Sequence, residues 1–549
     1  MTVSQLFNSQ TKTIAFAAGL LVLSSLVSRV LGIVRNGLLS WQFGAGETTD
    51  IYLAAFRIPD FLYGILIMGG ISTVFLPLFS DMFQKKEKQA WAFVSNLFNV
   101  LVGALLGFST LAFLLAPFLI DLVAPGFSES QKQITVALTR LMLLSPILLG
   151  VSSIFSGVLQ YFGKFFTYSL APIFYNLGII TGILFLAPLF GIWGLGFGVV
   201  IGALLHVAIQ VPAALSSGFR WQPLFDWKEQ AIGKVFRLAL PRTFAAAGLH
   251  MNIIVLTALA STISTGSITI FTYADDVQHF PIGLIGVSFA IAAFPSLSRL
   301  FAERQIQQFK EAFATTLRQI LFLVVPISLL VFLLRAQIVR LVYGAGDKFT
   351  WSDTRLAAAA LGIFAFGIVF QALIPFLART FFAVQNTKTP TFISIASVML
   401  NIFSAVFFVS VLATPNTLTN LLILGLKLQG VSDIRVLALP LALVLSGTMQ
   451  AVVLFVLLQR YVKKSVQRDL YVSVAKIGIA SAVLATVTYG IMQVYGGVFS
   501  LTTYEEVLGQ FVLASLGGAL AFIVASFLLK SPEMLYFSAQ LRTRLTKKR

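Results

Sequence analysis

Apolar residues run through this chain in long blocks with helical spacing, broken by short polar turns. Read in order, the blocks predict about fourteen helices, at roughly 13–40, 48–80, 92–122, 133–160, 165–189, 191–215, 231–262, 267–299, 310–342, 354–384, 389–412, 434–459, 470–495 and 507–530. A helix that spans a bilayer needs about 20 predominantly apolar residues, and every block meets that length. The longest connections lie near 216–230 and 413–433, and residues 531–549 read as a basic tail. The expected fold class is all-α: a polytopic membrane protein of about fourteen transmembrane helices.

Composition makes lipid the solvent. The chain is 58% hydrophobic and only 11% charged, with mean hydropathy +0.92, whereas a soluble domain carries about 25% charged residues. It has no cysteine, which removes disulfides, thiolate metal sites and a cysteine nucleophile.

The net charge of +18 is explained by topology. Lys85, Lys86 and Lys88, then Lys164, then Arg220, Lys228 and Lys234, then Arg299, Arg304 and Lys310, then Lys388, then Arg460, Lys463, Lys464 and Arg468 occupy connections of one parity. The C-terminal Arg542, Arg544, Lys547, Lys548 and Arg549 share that side. Arg335, Arg340, Lys348 and Arg355 are the main exception. The positive-inside bias puts both termini in the cytoplasm of a multi-pass protein of the cell membrane. Most of the positive charge is thereby accounted for without nucleic acid.

A repeat is also present. FLPLFSD around Pro77 matches FPSLSRL around Pro295, LVAPGF at 122–127 matches LVYGAG at 341–346, and Asn176 has a counterpart in Asn401. The displacement spans six helices, so both halves start on the same side and are expected to be related by an axis along the membrane normal, with a cavity between them. The expected organisation is a six-helix lobe at 1–216, a second at 217–460, two further helices at 461–530 and a basic cytoplasmic tail at 531–549.

Charges inside the apolar blocks mark the candidate site. Arg29, Arg35, Asp50, Arg57 and Asp60 fall in the first two, although a charge at the bilayer centre costs roughly 2.5–3.5 kcal/mol even on a lenient scale. Arg29 and Arg35 are about 120° apart on one helix and can flank one cavity; Arg57 and Asp60, three apart, can pair. Pro59 is expected to loosen that helix and free carbonyls. The cluster reads as an anion site with its own counter-charges, since arginine suits bidentate phosphate contacts; the alternative is an ion-pair cluster holding two helices together. Arg379 either reaches the cavity or snorkels to the interface. Asp275, Asp276 and His279 stand as a coupling-ion or gating group, or as a satisfied interhelix contact. His206 reads as a packing residue. There is no P-loop, HExxH or GxSxG, so an ATPase or another enzyme is not expected, nor a cofactor or metal. Coupling would come from a monovalent ion or the membrane potential.

The stretches SRVLGIVRN, GAGETTDIYLAAFRIPDFL, FLPLF, APGF, FPIGLIGVSFAIAAFPSLSRLFA and RTFFAVQNTKTP resemble the MurJ (MviN) family of lipid II flippases, in the multidrug/oligosaccharidyl-lipid/polysaccharide exporter superfamily. The resemblance runs in order over about residues 15–460. It implies a flippase that moves the lipid-linked peptidoglycan precursor from the inner to the outer leaflet by alternating access. It implies that Arg29, Arg35 and Asp50 are cavity residues, that Arg57 is a usual basic position, and that the last two helices hold the polyprenyl tail. The implied partners are lipid II or a related polyprenyl-diphosphate glycolipid, the surrounding membrane lipids and cell-wall synthesis enzymes. The chain departs from the family where Tyr63 and Gly64 stand for a frequent arginine pair, Met68 and His279 for frequent acids, and Asp276 for a cavity arginine. A flippase for another polyprenyl-diphosphate oligosaccharide therefore stands as the alternative, and a non-transporting scaffold that binds lipid-linked precursors as a third reading.

Overall fold

The computed structural model describes residues 14–65, 72–462 and 467–546. Met68, Lys463, Lys464 and Lys547–Arg549 lie outside the described residues. By internal contacts the chain forms two compact units, Met1–Thr269 and Ile270–Arg549.

The helices of the first unit are α1 Ile14–Phe43, α2 Glu47–Tyr63, α3 Ser72–Lys85, α4 Glu87–Val123, α5 Glu129–Met142, α6 Leu144–Tyr161, α7 Phe165–Thr181, α8 Ala187–Phe190, α9 Ile192–Ala208, α10 Val211–Ser216 and α11 Gln230–Ser261. The second unit holds most of α12 Ser267–Pro281, then α13 Ser288–Ala302, α14 Ile306–Leu333, α15 Arg335–Val342, α16 Trp351–Ala383, α17 Lys388–Leu412, α18 Thr417–Gly425, α19 Ala438–Val462, α20 Gln467–Val498, α21 Tyr504–Leu528 and α22 Pro532–Thr546. Wider π turns at Gly182–Leu186 and Ile282–Val287 join α7 to α8 and α12 to α13. Among the described residues no strand is present.

Among the described residues, twelve helical stretches are long and apolar enough to cross a membrane. The other two expected segments fall on α2 with α3, and on α11. Large apolar side chains stand in the open along these stretches, among them Leu114, Phe118, Phe392, Phe403 and Leu528. In water such a surface would aggregate; in lipid it is the contact surface, and the chain is a multi-pass membrane protein.

The repeated motifs occupy matching elements in the two units. Pro77 lies inside α3 and Pro295 inside α13; Asn176 lies in α7 and Asn401 in α17. The packed units, however, divide after Thr269 and not at 216/217. The cause is α11: Arg57 Nε donates to Thr257 Oγ1 at 2.9 Å, Thr243 Oγ1 donates to the Ile65 carbonyl at 3.3 Å, and the Gly126 N–H donates to Ser261 Oγ at 3.1 Å. The repeat counts chain segments, whereas the packing follows these bonds.

Close approach in the first unit is made by glycines. A Cβ on Gly178 would lie 2.3 Å from the Gly202 Cα, and one on Gly182 would lie 2.4 Å from the Gly198 Cα. The α7 and α9 backbones therefore touch directly, the small-residue packing that substitutes for a hydrophobic drive inside lipid. An aromatic cluster joins α3, α4 and α6: Phe79 packs edge-on against Tyr161 at 4.9 Å, and Trp91 stacks on Phe162 at 5.9 Å. In the second unit, Phe322 of α14 packs with Ile477, Leu484 and Phe522, which fastens α20 and α21 to it.

Four sequence expectations change. The run at 310–342 breaks at Leu334 into α14 and α15, and the 413–433 connection contains the helix α18. The expected basic tail contains α22, whose Glu533 is buried and accepts from Ser473 Oγ at 2.8 Å and Ser531 Oγ at 2.7 Å, with Arg318 Nε at 3.6 Å. The 216–230 connection lacks regular structure but is bound to α4. Asn96 Nδ2 donates to the Asp226 carbonyl at 2.8 Å and its Oδ1 accepts from the Asp226 N–H; Asn99 Nδ2 donates to the Gln222 carbonyl at 2.8 Å, and Trp221 Nε1 donates back to Asn99 Oδ1. This strap holds Trp221, Phe225 and Trp227 outward, beside Arg220 and Lys228, as expected of a belt at a membrane interface.

Replacing Asn96 and Asn99 together by alanine should free the strap. If its opening becomes easier by about 1.5 kcal/mol, a modest hydrogen-bond loss, limited trypsin should cut at Arg220 and Lys228 about tenfold faster, read on a gel.

Candidate functional site

The first unit gathers most of the predicted charges. On α1, Arg35 Nε donates to Asn36 Oδ1 at 3.0 Å and its Nη1 donates to Asn176 Oδ1 at 3.4 Å. Asn176 in turn donates through Nδ2 to the Pro172 carbonyl at 3.0 Å and to Ser28 Oγ at 3.3 Å. A buried amide on α7 thus aims the Arg35 guanidinium and ties it to α1. Arg29, six residues earlier, is exposed.

On α2, the half-buried Arg57 is aimed by Thr257. Arg57 and Arg35 both lie within electrostatic reach of Asp60. Both guanidiniums bear on Asp60 electrostatically, Arg57 more than Arg35. Past Pro59 the helix widens into a π turn at Gly64 and Ile65. Proline has no N–H, so Pro59 leaves the Ala55 carbonyl without its helical donor, and that carbonyl accepts from Thr139 Oγ1 at 3.3 Å; the Ile65 carbonyl accepts from Thr243 Oγ1.

Four tyrosines complete the cluster, and sequence reasoning missed them as site residues. Tyr52 and Tyr175 feel both Arg35 and Asp60, while Tyr63 feels Asp60 and neighbours Tyr168. Phenolic hydroxyls can donate to phosphate or sugar oxygens; Tyr63, Tyr168 and Tyr175 are half-buried, whereas Tyr52 is buried in the core. The available sequence signal was the spacing of Tyr168 and Tyr175, seven apart and so on one face of α7.

Asp50 requires a correction. It was expected to line a cavity, but it is 3% exposed. Its Oδ2 accepts from the Gly266 N–H at 2.6 Å, and its Oδ1 accepts from the Thr269 N–H at 2.9 Å and from Thr269 Oγ1 at 2.6 Å. Those donors belong to the turn and first residues of the helix that begins at Ser267. A carboxylate at a helix N-terminus satisfies N–H groups that have no intrahelical partner and complements the helix dipole.

In the second unit, the half-buried Asp275 accepts from Gln278 Nε2 at 2.7 Å and lies 3.4 Å from His279 Nδ1. His279 itself is exposed, and Asp276 is half-buried. Gln278 Oε1 accepts from Gln371 of α16 at 3.4 Å. This is the interhelix contact that the sequence left open beside a coupling role. Among the described residues no cluster of acids and histidines fit for a metal occurs. Arg379 is half-buried near the end of α16, with no hydrogen bond or ion pair among the described residues. His206 Nδ1 is hydrogen-bonded to Ser152 Oγ at 2.6 Å, a polar contact between α9 and α6 where packing alone was expected. An open apolar groove of about 540 Å³ runs along α20 and α21, lined by Val487, Ile491, Val494, Tyr495, Val498 and Leu513.

Long helices with apolar surfaces turned outward, and guanidiniums aimed within them by neutral side chains, define a polytopic membrane protein of the transporter class. The chain belongs to the MurJ family, described as lipid II flippase MurJ, whose family model matches residues 39–508. A probable lipid II flippase MurJ of Buchnera aphidicola subsp. Schizaphis graminum is 30% identical over 68% of this chain and 74% of its own length. One from Rhizobium tropici is 27% identical over 91% of this chain and 92% of its own. A solved structure of lipid II flippase MurJ in an inward closed conformation matches with a TM-score of 0.73 at 23% identity, covering 92% of this chain and 98% of that one; at that identity it speaks for the fold.

If Asp50 is structural, Asp50→Ala should lower stability by about 1–3 kcal/mol, the cost of leaving buried donors unsatisfied. A lower Tm in detergent with unchanged ligand affinity of the folded fraction checks this. Lost affinity at unchanged Tm would return Asp50 to the binding site.

Proposed function

We propose that this protein is a flippase that moves lipid II from the inner to the outer leaflet of the cell membrane, exposing its site alternately to the two sides. The observation that carries the reading is the Arg35–Arg57–Asp60 cluster with its tyrosines, set within membrane helices of the first unit. The diphosphate linkage of such a lipid brings two negative charges and a pair of non-bridging oxygens on each phosphorus, which guanidiniums bind through paired hydrogen bonds. The hydroxyls of the half-buried Tyr63, Tyr168 and Tyr175 suit phosphate or sugar oxygens. Arg29, exposed on α1, meets the anion on its way in, and Arg379 of the second unit adds a guanidinium near a helix end. The apolar groove along α20 and α21 suits the polyprenyl tail, since each buried CH₂ contributes about 0.8 kcal/mol.

Direction follows from charge. Each charge that crosses the field gains roughly 2.3 kcal/mol per 100 mV, so two phosphate charges leaving a negative interior gain about 5 kcal/mol per 100 mV. No nucleotide hydrolysis is then required. With both termini cytoplasmic, the basic connections face the side from which the substrate comes. Asp275 and His279 are the pair best suited to couple an ion or proton to the cycle.

The departures at Tyr63, Gly64 and Asp276 favour a second reading, a flippase for another polyprenyl-diphosphate oligosaccharide, because fewer guanidiniums suit a less anionic headgroup. Rescue of growth in cells depleted of their lipid II flippase separates the two: rescue supports the first reading, and failure at normal membrane levels supports the second.

Arg35→Ala and Arg57→Ala should each abolish rescue at unchanged membrane abundance. Each should weaken binding of lipid II in detergent by about ten- to a hundredfold, the worth of a hydrogen bond to a charged group at about 1.5–3 kcal/mol. Full rescue by the double variant would remove the cluster from the mechanism.

A further inference from the structure

Three polar side chains on α11, Thr243, His250 and Thr257, stand seven residues apart. Seven residues make about two turns, so the three share one face. That face lies on α2: Thr243 donates to the Ile65 carbonyl and Thr257 accepts from Arg57. Between them, His250 meets Gly64. A Cβ added at Gly64 would lie 1.9 Å from His250 Nε2, 2.5 Å from Cε1 and 2.6 Å from Cδ2. The imidazole therefore occupies the space that any side chain at position 64 would need.

Arg57 is the charged group that bears on this ring. The helices α3 and α4 also pack on α11, but their charged residues Asp81, Lys85, Glu87, Lys88 and Asp121 do not act on it. On α11 itself, Lys234, Arg237 and Arg242 precede it by two turns or more. The ring is half-buried.

We infer that His250 is a proton-linked ligand of the diphosphate: it takes up a proton as the anion docks beside Arg57, and so adds a cation to the site only when substrate is present. This rests on the function proposed above. A docked diphosphate places negative charge beside the ring, and an imidazole, whose ordinary pKa is near 6.5, is a side chain that can answer it with a proton in the physiological range. By linkage, whatever tightens proton binding when the anion is present tightens anion binding when the proton is present. Docking is consequently stronger at low pH, and Gly64 is the residue that makes room for the device.

The test uses the purified full chain in detergent with undecaprenyl diphosphate as probe, titrated from about pH 6 to about pH 8, a window that brackets the imidazole. The diphosphate titrates too, so the comparison is with His250→Gln, neutral throughout. Across the window the wild type should lose about tenfold more affinity than His250→Gln. His250→Lys, charged throughout, should bind more tightly than His250→Gln at every pH, with the same slope. Gly64→Ala, which displaces the ring, should flatten the profile as His250→Gln does, and it serves if the histidine variants do not fold. A wild-type slope in His250→Gln or in Gly64→Ala overturns the inference. Arg35→Ala separates the two levels. If it binds the probe as the wild type does, the proposed site itself fails; if it loses binding while His250→Gln keeps the wild-type slope, only the histidine's role fails.

Discussion

An arginine in a membrane helix has to be given hydrogen-bond partners by its own fold, because lipid offers none. In the first unit neutral side chains are among those partners. Arg57 reaches Thr257, and Arg35 reaches Asn36 and Asn176. Each partner also makes a second bond that holds it still: Thr257 Oγ1 donates to the Ile253 carbonyl, and Asn176 Nδ2 donates to the Pro172 carbonyl. The needs of two guanidiniums thereby tie α1 to α7 and α2 to α11. This also explains why α11 packs with the first unit although the repeat would place it in the second.

The arginines that break the positive-inside pattern satisfy the same need differently. Arg335 donates to the Phe332 carbonyl at 2.7 Å and covers the Phe332 ring, and Arg340 donates to the Leu501 carbonyl at 2.7 Å and lies over Trp351. Arg355 holds the carbonyls of Lys427 and Gln429. These charges are committed to backbone oxygens that helix ends and loops leave open. They hold connections together, and they are poor evidence about topology. The bias in the remaining connections is correspondingly cleaner.

Much of the fold was legible because apolar blocks of spanning length have few alternatives. The blocks fall on helices with ends shifted by a few residues, and the repeated prolines and asparagines sit in matching elements. The cluster of Arg35, Arg57 and Asp60 was legible as charge where hydrocarbon was expected. Its partners were not: Arg57 and Thr257 are 200 residues apart, and Arg35 and Asn176 are 141 apart. Asp50 misled for the same reason, since an acid early in a helix suits a wet cavity or a distant helix start equally well. Only the donors at Gly266 and Thr269, more than 200 residues on, decide. The tyrosines carried no signal that separates a site from packing, because lipid-facing helices are rich in aromatic rings. The basic tail and the 413–433 connection were read from charge and length alone, which are silent on the short helices that form there.

The choice of neutral partners matters for what the site can do. At the surface of the second unit Arg435 is bound to Asp433 through several hydrogen bonds, the shortest at 2.6 Å, and such a pair has little charge left to offer an anion. The threonine and asparagine contacts of Arg57 and Arg35 orient the guanidinium planes without cancelling their charge. A site built in this way holds its donors in place before the ligand arrives, so little reorganisation is needed when an anion docks. Asp60 prevents the opposite failure. Two guanidiniums with no carboxylate nearby would repel each other inside a low-dielectric surround and bind an anion too tightly to release it. One acid shared between two bases leaves a net attraction that can be reversed, and a carrier needs that reversibility more than it needs affinity.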